Sequence, residues 1–180
     1  MVETMLSAEI STMNSRGRAP KIRVRPSQAS DGVAMWHLAD RSTLDTNSPY
    51  AYVHYGDQFS STCRVAINDD GAVVGFVLAH LLPKRPNSLF IWQIGVAEEA
   101  RGLGIASEML DSLWADTADV SFLEATVTPS NTASDRLFRR FAQQHAAELE
   151  TSLIYGEALF PAGTHEAELR YRIGPIAIDS

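Results

Sequence analysis

Cysteine is almost absent from this 180-residue chain: Cys63 stands alone, which excludes an internal disulfide. Set at the head of a predicted strand, it reads as a small core residue rather than a nucleophile. Long apolar runs are missing as well. No stretch approaches the roughly 20 residues that a membrane span requires, and the N-terminus lacks a basic segment followed by a hydrophobic core. The expected setting is therefore cytoplasmic, without a membrane partner. Positive charge is scarce, with 15 Lys and Arg against 22 Asp and Glu and a net charge of −7. That balance argues against a nucleic-acid partner, which favours basic faces. What remains is ordinary for a globular protein: 45% of residues are hydrophobic, enough for one domain with a full core. Residues 1–20, rich in Ser, Thr and Met and without periodicity, are expected to form a flexible tail, and 21–178 a single domain. No internal repeat interrupts it.

Periodicity gives the order of elements. Ile22 and Val24 alternate with arginines as a short strand, and a helix is expected over 28–41 with Val33, Met35, Trp36 and Leu38. Ser48-Pro49 offers an N-cap and a first helical proline for a helix over 49–60. Arg64–Ile67 and Val73–Leu82 flank the turn Asn68-Asp69-Asp70-Gly71 as a hairpin. After a break from Pro83 to Pro86, Leu89–Val96 is apolar enough for a central strand buried on both faces. A helix carrying Ile105, Met109, Leu110 and Leu113 on one side follows, then a strand over Phe122–Val127. A helix over 132–147 should bury Ala133, Leu137, Phe138 and Phe141, and strands near 153–160 and 168–174 close the chain around Pro161-Ala162-Gly163. The class is α/β, with the order β-α-α-β-β-β-α-β-α-β-β.

The most informative stretch joins the central strand Trp92-Gln93-Ile94-Gly95-Val96 to Arg101-Gly102-Leu103-Gly104-Ile105-Ala106. A glycine loop opening a helix aims free backbone N–H groups at one point, and the helix adds partial positive charge there. It is a seat for pyrophosphate. No Gly-Lys-Ser/Thr closes it, so it is not a Walker loop, and its glycines are too few for a dinucleotide fold. The spacing resembles the acetyl-CoA signature of the GNAT superfamily of N-acetyltransferases. Ser130-Asn131-Thr132-Ala133-Ser134-Asp135-Arg136-Leu137-Phe138 resembles the Asn-x-x-Ala-x-x-x-Tyr segment of the same superfamily. The resemblance implies a mixed, mostly antiparallel sheet of about seven strands flanked by about four helices, in which the strands at Trp92–Val96 and Glu124–Val127 splay apart. It further implies acetyl-CoA as co-substrate, with no metal. Ile94, Gly95, Val96, Arg101, Gly102, Leu103, Gly104, Ile105, Ala106, Asn131 and Ser134 would hold it.

Further strings narrow the resemblance. Leu44-Asp45-Thr46-Asn47-Ser48-Pro49-Tyr50, Glu124-Ala125-Thr126-Val127-Thr128-Pro129, His165-Glu166 and Arg170-Tyr171-Arg172-Ile173-Gly174-Pro175 are similar to the L-2,4-diaminobutyrate acetyltransferases of ectoine formation, and the likeness covers 22–175. It implies acetyl transfer to the 4-amino group of L-2,4-diaminobutyrate, and a homodimer. A substrate with two ammonium groups and one carboxylate needs acids and a wall. Asp45 and Glu124 can serve the cations, with Glu166 as a third candidate; Trp92 can form the wall, and Tyr50, Thr126 and His165 can orient the rest. Another small amine, another amino acid, or a catalytically silent acetyl-CoA sensor are the alternatives.

An alkyl ammonium is about one part in 10³ neutral at pH 7, so making it a nucleophile costs roughly 4–5 kcal/mol. Glu124 is the leading candidate for the general base and Asp45 the second, whose larger role is positioning. A backbone N–H of Ile94–Val96 would hold the oxyanion. Phe138 stands where the superfamily often has a tyrosine acid, leaving Tyr155, Tyr171, a water or no donor for the departing thiolate.

Overall fold

A computed structural model describes residues 21–177; the tail expected over 1–20 and the domain end at 178 lie outside the described residues. Seven strands form one sheet: β1 (Arg23–Pro26), β2 (Arg64–Ile67), β3 (Val73–Leu82), β4 (Arg85–Val96), β5 (Phe122–Val127), β6 (Leu149–Tyr155) and β7 (Glu168–Ile173). Their order is β1-β2-β3-β4-β5-β7-β6. Every neighbouring pair is antiparallel except β4 and β5, which run parallel. Four α-helices flank the sheet: α1 (Gly32–Asp40), α2 (Pro49–Gln58), α3 (Ile105–Asp116) and α4 (Thr132–Gln144).

Strand alternation sorts the core into two layers. Ala66, Val77, Ala79, Leu89, Leu123 and Ala125 face α3 and α4, where Ile105, Met109, Leu110, Leu113, Phe138 and Phe141 cover them. Val65, Ile67, Phe76 and Leu78 face the other way and are covered by Met35 and Ala39 of α1 and Tyr52 of α2, together with Cys63. Pro49 occupies the first turn of α2, where its missing N–H costs nothing, while Ser48 makes no side-chain cap. Asn131 does cap: its side chain accepts from Ser134 N–H at the start of α4.

Two irregularities create the site. Along the β3–β4 ladder Leu78 faces Gln93 but Ala79 faces Ile91, so Trp92 is an extra residue. This bulge sends two successive side chains to one face: Ile91 and Ile94 pack in the α3–α4 layer, while Trp92 packs with the α1–α2 layer and Gln93 bonds to Tyr52 within it. Second, β4 pairs with β5 only from Ser88–Ile91 to Phe122–Ala125. Beyond those residues the two strands part, and a wedge opens between them.

Some expectations shift. Pro86 lies inside β4, because the β3–β4 hairpin continues through the pair Leu82 and Arg85 before β5 joins at Ser88; an unpaired edge there tolerates a proline. The strand expected near 153–160 starts at Leu149 instead. It is an edge strand whose Glu150, Thr151 and Ser152 are exposed, so little alternation marks it. Ala133, expected in the core, is exposed at the border of a groove; Leu137 borders the same groove while it packs, half-buried, against the core, and Val33 faces solvent.

Candidate active site

The wedge opens into two adjoining cavities of about 720 and 840 Å³. Leu44, Ile94, Asn131 and Ser134 border both, so the cavities meet beside the bulge of β4. Their charges are opposite. The charged residues of the larger cavity are Arg101, Arg136 and Arg140. The smaller holds Asp45, Glu157, Glu166 and Glu168 with His165, and no lysine or arginine.

In the larger cavity the glycine loop has the conformation that its sequence requires. Gly102 and Gly104 adopt φ of +78° and +80°, in the left-handed region, and open space surrounds the place of an added Cβ. The need for glycine is therefore conformational. The first helical hydrogen bond of α3 runs from Glu108 N–H to Gly104 O. The N–H groups of Ile105, Ala106 and Ser107 thus lack intrahelical partners, and all three residues line the cavity. Gly95, Val96, Ala133 and Leu137 complete the walls, while Leu103 faces solvent. Free donors at a helix start, with three arginines nearby, fit a phosphate-bearing cofactor.

In the smaller cavity Asp45 comes from the α1–α2 connection, Trp92 from β4, Thr126 from β5, and His165 with Glu168 from the start of β7 and the loop before it. His165 Nε2 lies 3.4 Å from Asp45 Oδ2 and 3.5 Å from Glu168 Oε1, and its ring stacks on Phe160 at 4.3 Å. Its Nδ1–H donates to Glu166 O at 2.7 Å; that bond, with the charges of Glu168 and Asp45, raises the imidazole pKa against the effect of burial. Glu166 also accepts from the Ser130 hydroxyl, fastening the loop to the end of β5. Trp92 stacks on Tyr55 at 4.6 Å, and Tyr55 Oη is 3.1 Å from His80 Nδ1.

Glu168 is the residue that sequence reasoning missed. Its side chain is 15% exposed, and buried Oε2 has no hydrogen-bond partner. Such an orphaned carboxylate oxygen is costly unless a ligand or proton completes it. Burial pushes its pKa up, and the charges of Asp45 and Glu166 add to this, against a hydrogen bond from Thr126 and the charge of His165. The available signal was the polar face Glu168-Arg170-Arg172 alternating with Leu169-Tyr171-Ile173, and an acid three residues after His165.

Asp45, Trp92, Thr126 and His165 are thus brought together, and Glu124 and Tyr50 are not. Glu124 lies on the same face of β5 as Thr126 but two residues farther from the wedge. There Arg85 Nε and Nη2 bind its oxygens at 3.0 and 2.8 Å, and Arg172 also donates to it. Burial pushes its pKa up, but bonds from Arg85 and Ser88 and the charges of Arg85 and Arg172 prevail and hold it below the ordinary carboxylate value. Paired in this way and outside the cavity lining, the carboxylate is held in its ionised form. Tyr50 is 73% exposed on α2, stacked on His54, and lines neither cavity.

The candidate acids and the cysteine are similarly placed. Phe138 lines the smaller cavity, whereas the Tyr171 hydroxyl donates to Asp135 at 2.7 Å and neither Tyr155 nor Tyr171 borders a cavity. Burial pushes the Cys63 thiol up to about 11, and it sits in the core. Among the described residues no cluster of His, Cys, Asp or Glu is arranged to hold a metal ion.

Comparison with known proteins agrees with this geometry. Residues 32–142 match the model of the Acetyltransferase (GNAT) family. The L-2,4-diaminobutyric acid acetyltransferase of Halalkalibacterium halodurans is 41% identical over 96% of this chain and 92% of its own length. That of Shouchella clausii is 44% identical over 88% and 90%. Among solved structures, the diaminobutyrate acetyltransferase EctA from Paenibacillus lautus, in complex with L-2,4-diaminobutyric acid and coenzyme A, superposes with a TM-score of 0.85 at 40% identity, covering 90% of this chain and 99% of that one. Ard1 from Thermoplasma volcanium, at 15% identity and a TM-score of 0.69 over 85% and 97% of the two chains, shares the fold. With the split sheet, the glycine loop and this likeness across nearly its whole length, the chain belongs to the GNAT acetyltransferases and, among them, to the L-2,4-diaminobutyric acid acetyltransferase family.

Proposed function

We propose that this protein transfers the acetyl group of acetyl-CoA to the 4-amino group of L-2,4-diaminobutyrate, giving N4-acetyl-L-2,4-diaminobutyrate and CoA for ectoine formation. The observation that carries the reading is the joining of an arginine- and glycine-lined cavity to an acidic one without lysine or arginine. One suits a polyphosphate, the other a substrate with two ammonium groups.

Acetyl-CoA supplies the acyl carbon and a thiolate leaving group. The N–H groups of Ile105, Ala106 and Ser107, with the Gly102–Gly104 loop and the arginines, bind its phosphates; Ile94, at the junction of the cavities, borders its reactive end. β4 has lost its β5 partner there while it stays paired with β3, so those backbone N–H groups of Ile94–Val96 that point away from β3 are free to hold the developing oxyanion. One such donor is worth about 3–4 kcal/mol. Asn131 and Ser134 border the same passage.

Asp45, at the mouth of the acidic cavity, holds one ammonium group, and the face of Trp92 and the Thr126 hydroxyl fix the chain. Glu168 takes the proton of the other, directly or through one water. Its burial and orphaned oxygen suit it to this work, because a carboxyl with a raised pKa lies closer to that of its substrate. His165 lies between the two acids and keeps their spacing. Nucleophile and thioester meet in one ternary complex, since the only cysteine is buried and protonated at neutral pH. The exposed edge strand β6, with Leu153 and Tyr155 outward, supports a homodimer. Cytoplasmic residence accords with the lack of any helix long and apolar enough to cross a membrane among the described residues.

The test is mass spectrometry of the product from acetyl-CoA and L-2,4-diaminobutyrate. One acetyl on the 4-nitrogen is expected; transfer to the 2-nitrogen, preference for another amine, or CoA binding without turnover would overturn the reading. Light scattering at micromolar concentration should give twice the chain mass, and a monomer would defeat the dimer.

A further inference from the structure

We propose that a buried pair, Tyr52 and Gln93, acts as a positioning device that fixes Asp45 over the acidic cavity and thereby sets the affinity for the amine substrate. The inference rests on the reading of that cavity as the diamine site.

Asp45 belongs to the connection between α1 and α2, a segment with no helix or strand of its own at residues 44–48. Its side chain is 87% exposed and meets only the His165 ring, at 3.4 Å, so packing alone does not determine where the carboxylate stands. The backbone beneath it is held. Gln93 Nε2 donates to Asp45 O at 2.8 Å, Tyr52 Oη donates to Gln93 Oε1 at 2.9 Å, and the N–H of Asn47 reaches Tyr52 Oη at 3.4 Å. The bonds close a ring from Asp45 through Gln93 and Tyr52 to Asn47.

The directions in this ring are forced. A main-chain carbonyl can only accept, so Gln93 must present its NH₂ to Asp45. Its oxygen then faces Tyr52, whose hydroxyl must donate, leaving the phenolic lone pairs for Asn47. Each buried member has one consistent arrangement, which rigidifies the ring. Trp36 Nε1 braces the far end of the segment by donating to Asn47 O at 3.2 Å.

The bulge connects the ring to the chemistry. With regular alternation Gln93 would face α3 and α4; the extra residue Trp92 turns it toward the α1–α2 connection. Gln93 is thus held on the strand that borders the wedge and bonded to the loop that carries Asp45. Distance between an ammonium group on Asp45 and the acyl carbon beside Ile94 is fixed by the fold rather than by a free loop. Preorganisation of this kind appears first in substrate affinity, because the same loop meets the larger cavity only at Ser42, Thr43 and Leu44, ahead of the braced Asp45 carbonyl. Tyr52 is fully buried and lines neither cavity, so it acts only through Gln93 and the loop.

The experiment is a double-mutant cycle on the full chain with Tyr52→Phe and Asp45→Ala, reading kcat, both Michaelis constants, CoA affinity by calorimetry and Tm. Tyr52→Phe is expected to raise the Michaelis constant for L-2,4-diaminobutyrate about 5–10-fold and that for acetyl-CoA by less than about twofold. In the Asp45→Ala background the same change should add less than about twofold. Gln93→Met, which removes both side-chain bonds at similar volume but also alters a wall of the acidic cavity, should reproduce the pattern, including its loss in the Asp45→Ala background, if Tyr52→Phe fails to fold. An unaltered diamine constant in folded Tyr52→Phe protein, effects that multiply in full in the double variant, or a parallel rise of both Michaelis constants would each overturn the proposal. Should Asp45→Ala itself leave the diamine constant unchanged, the assignment of Asp45 falls and the device with it. Loss of all turnover with L-2,4-diaminobutyrate in the unmodified protein would instead strike the proposed function.

Discussion

Replacing Glu124 by glutamine separates an anchor from a proton acceptor. Its side chain is 1% exposed and joins β5 to Arg85 of β4 and Arg172 of β7. Glutamine keeps the volume but removes the negative charge between two guanidinium groups and turns an NH₂ toward one of them. Breaking a buried ion pair by removing one partner costs about 3–5 kcal/mol. Arg85 is 39% exposed and can turn to water, so a cost below that range, about 2–3 kcal/mol, is expected. In a domain of this size 1 kcal/mol moves Tm by roughly 2–4 °C, which gives a fall of about 5–10 °C. Turnover at 25 °C and saturation should stay within about threefold, because the carboxylate does not line the acidic cavity. Circular dichroism melts and steady-state kinetics on the same preparation read both quantities. A loss of about 10²–10⁴ in kcat with an unchanged Tm would refute the reasoning and restore Glu124 as the base.

The same residue gives folding stability an acid limb. Its folded-state pKa lies below the ordinary value despite burial, because Arg85, Ser88 and Arg172 favour the ionised form. A depressed pKa means that the contribution is complete above the unfolded-state value and is lost as pH falls through the folded-state value. Tm of the unmodified protein should therefore drop below about pH 4.5, and Glu124→Gln should flatten that limb.

Three further outcomes follow from the site. Glu168→Gln should lower kcat by about 10²–10⁴ with CoA affinity unchanged in calorimetry; because the free-enzyme pKa of Glu168 is raised, the acid limb of kcat/KM in the unmodified protein should lie above the ordinary carboxylate range, and near-normal turnover in the variant would remove Glu168 as base. Gly104→Asp should weaken CoA binding more than about tenfold, since it puts a side chain at φ +80° and a negative charge at the phosphate seat; an unchanged affinity would reduce the loop to a turn. Arg136→Ala with Arg140→Ala should weaken CoA binding and make it less sensitive to salt, because these arginines line the cofactor cavity without an ion-pair partner among the described residues; an unaltered salt dependence would place the phosphates elsewhere.

Much of the fold could be read locally. The order of elements and the buried set Ile105, Met109, Leu110 and Leu113 of α3 follow from periodicity, and the glycine loop from the φ that it requires. The larger cavity was legible because one continuous stretch builds its glycine loop and helix start. The acidic cavity was less so, since its walls come from five separated segments. The ion pairs of Glu124 could not be read from the sequence, because its partners lie 39 and 48 residues away. Glu168 was hidden for the converse reason: an acid at the head of a polar strand face looks solvated until the loop before β7 folds over it. Tyr50 stood in a string shared with a family, yet its position on α2 turns it outward.

The bulge at Trp92 is where the sequence and the site are most closely tied. A regular β4 would place Gln93 and Gly95 in the α3–α4 layer, setting a polar amide among Ile105 and Met109, where it would lack partners. With one extra residue the amide meets Tyr52 and Asp45, and Gly95 comes beneath Leu44, whose Cδ1 is 2.9 Å from where a Cβ would stand. A side chain at 95 would have to displace the side chains of Leu44, Phe76 and Leu38, which close on that point at 2.9–3.1 Å. The bulge, the glycine and the glutamine are consistent only with one another. Together they bring an acidic loop against a strand whose other edge has just lost its hydrogen-bond partner. That coincidence sets the two cavities on either side of the same few backbone donors.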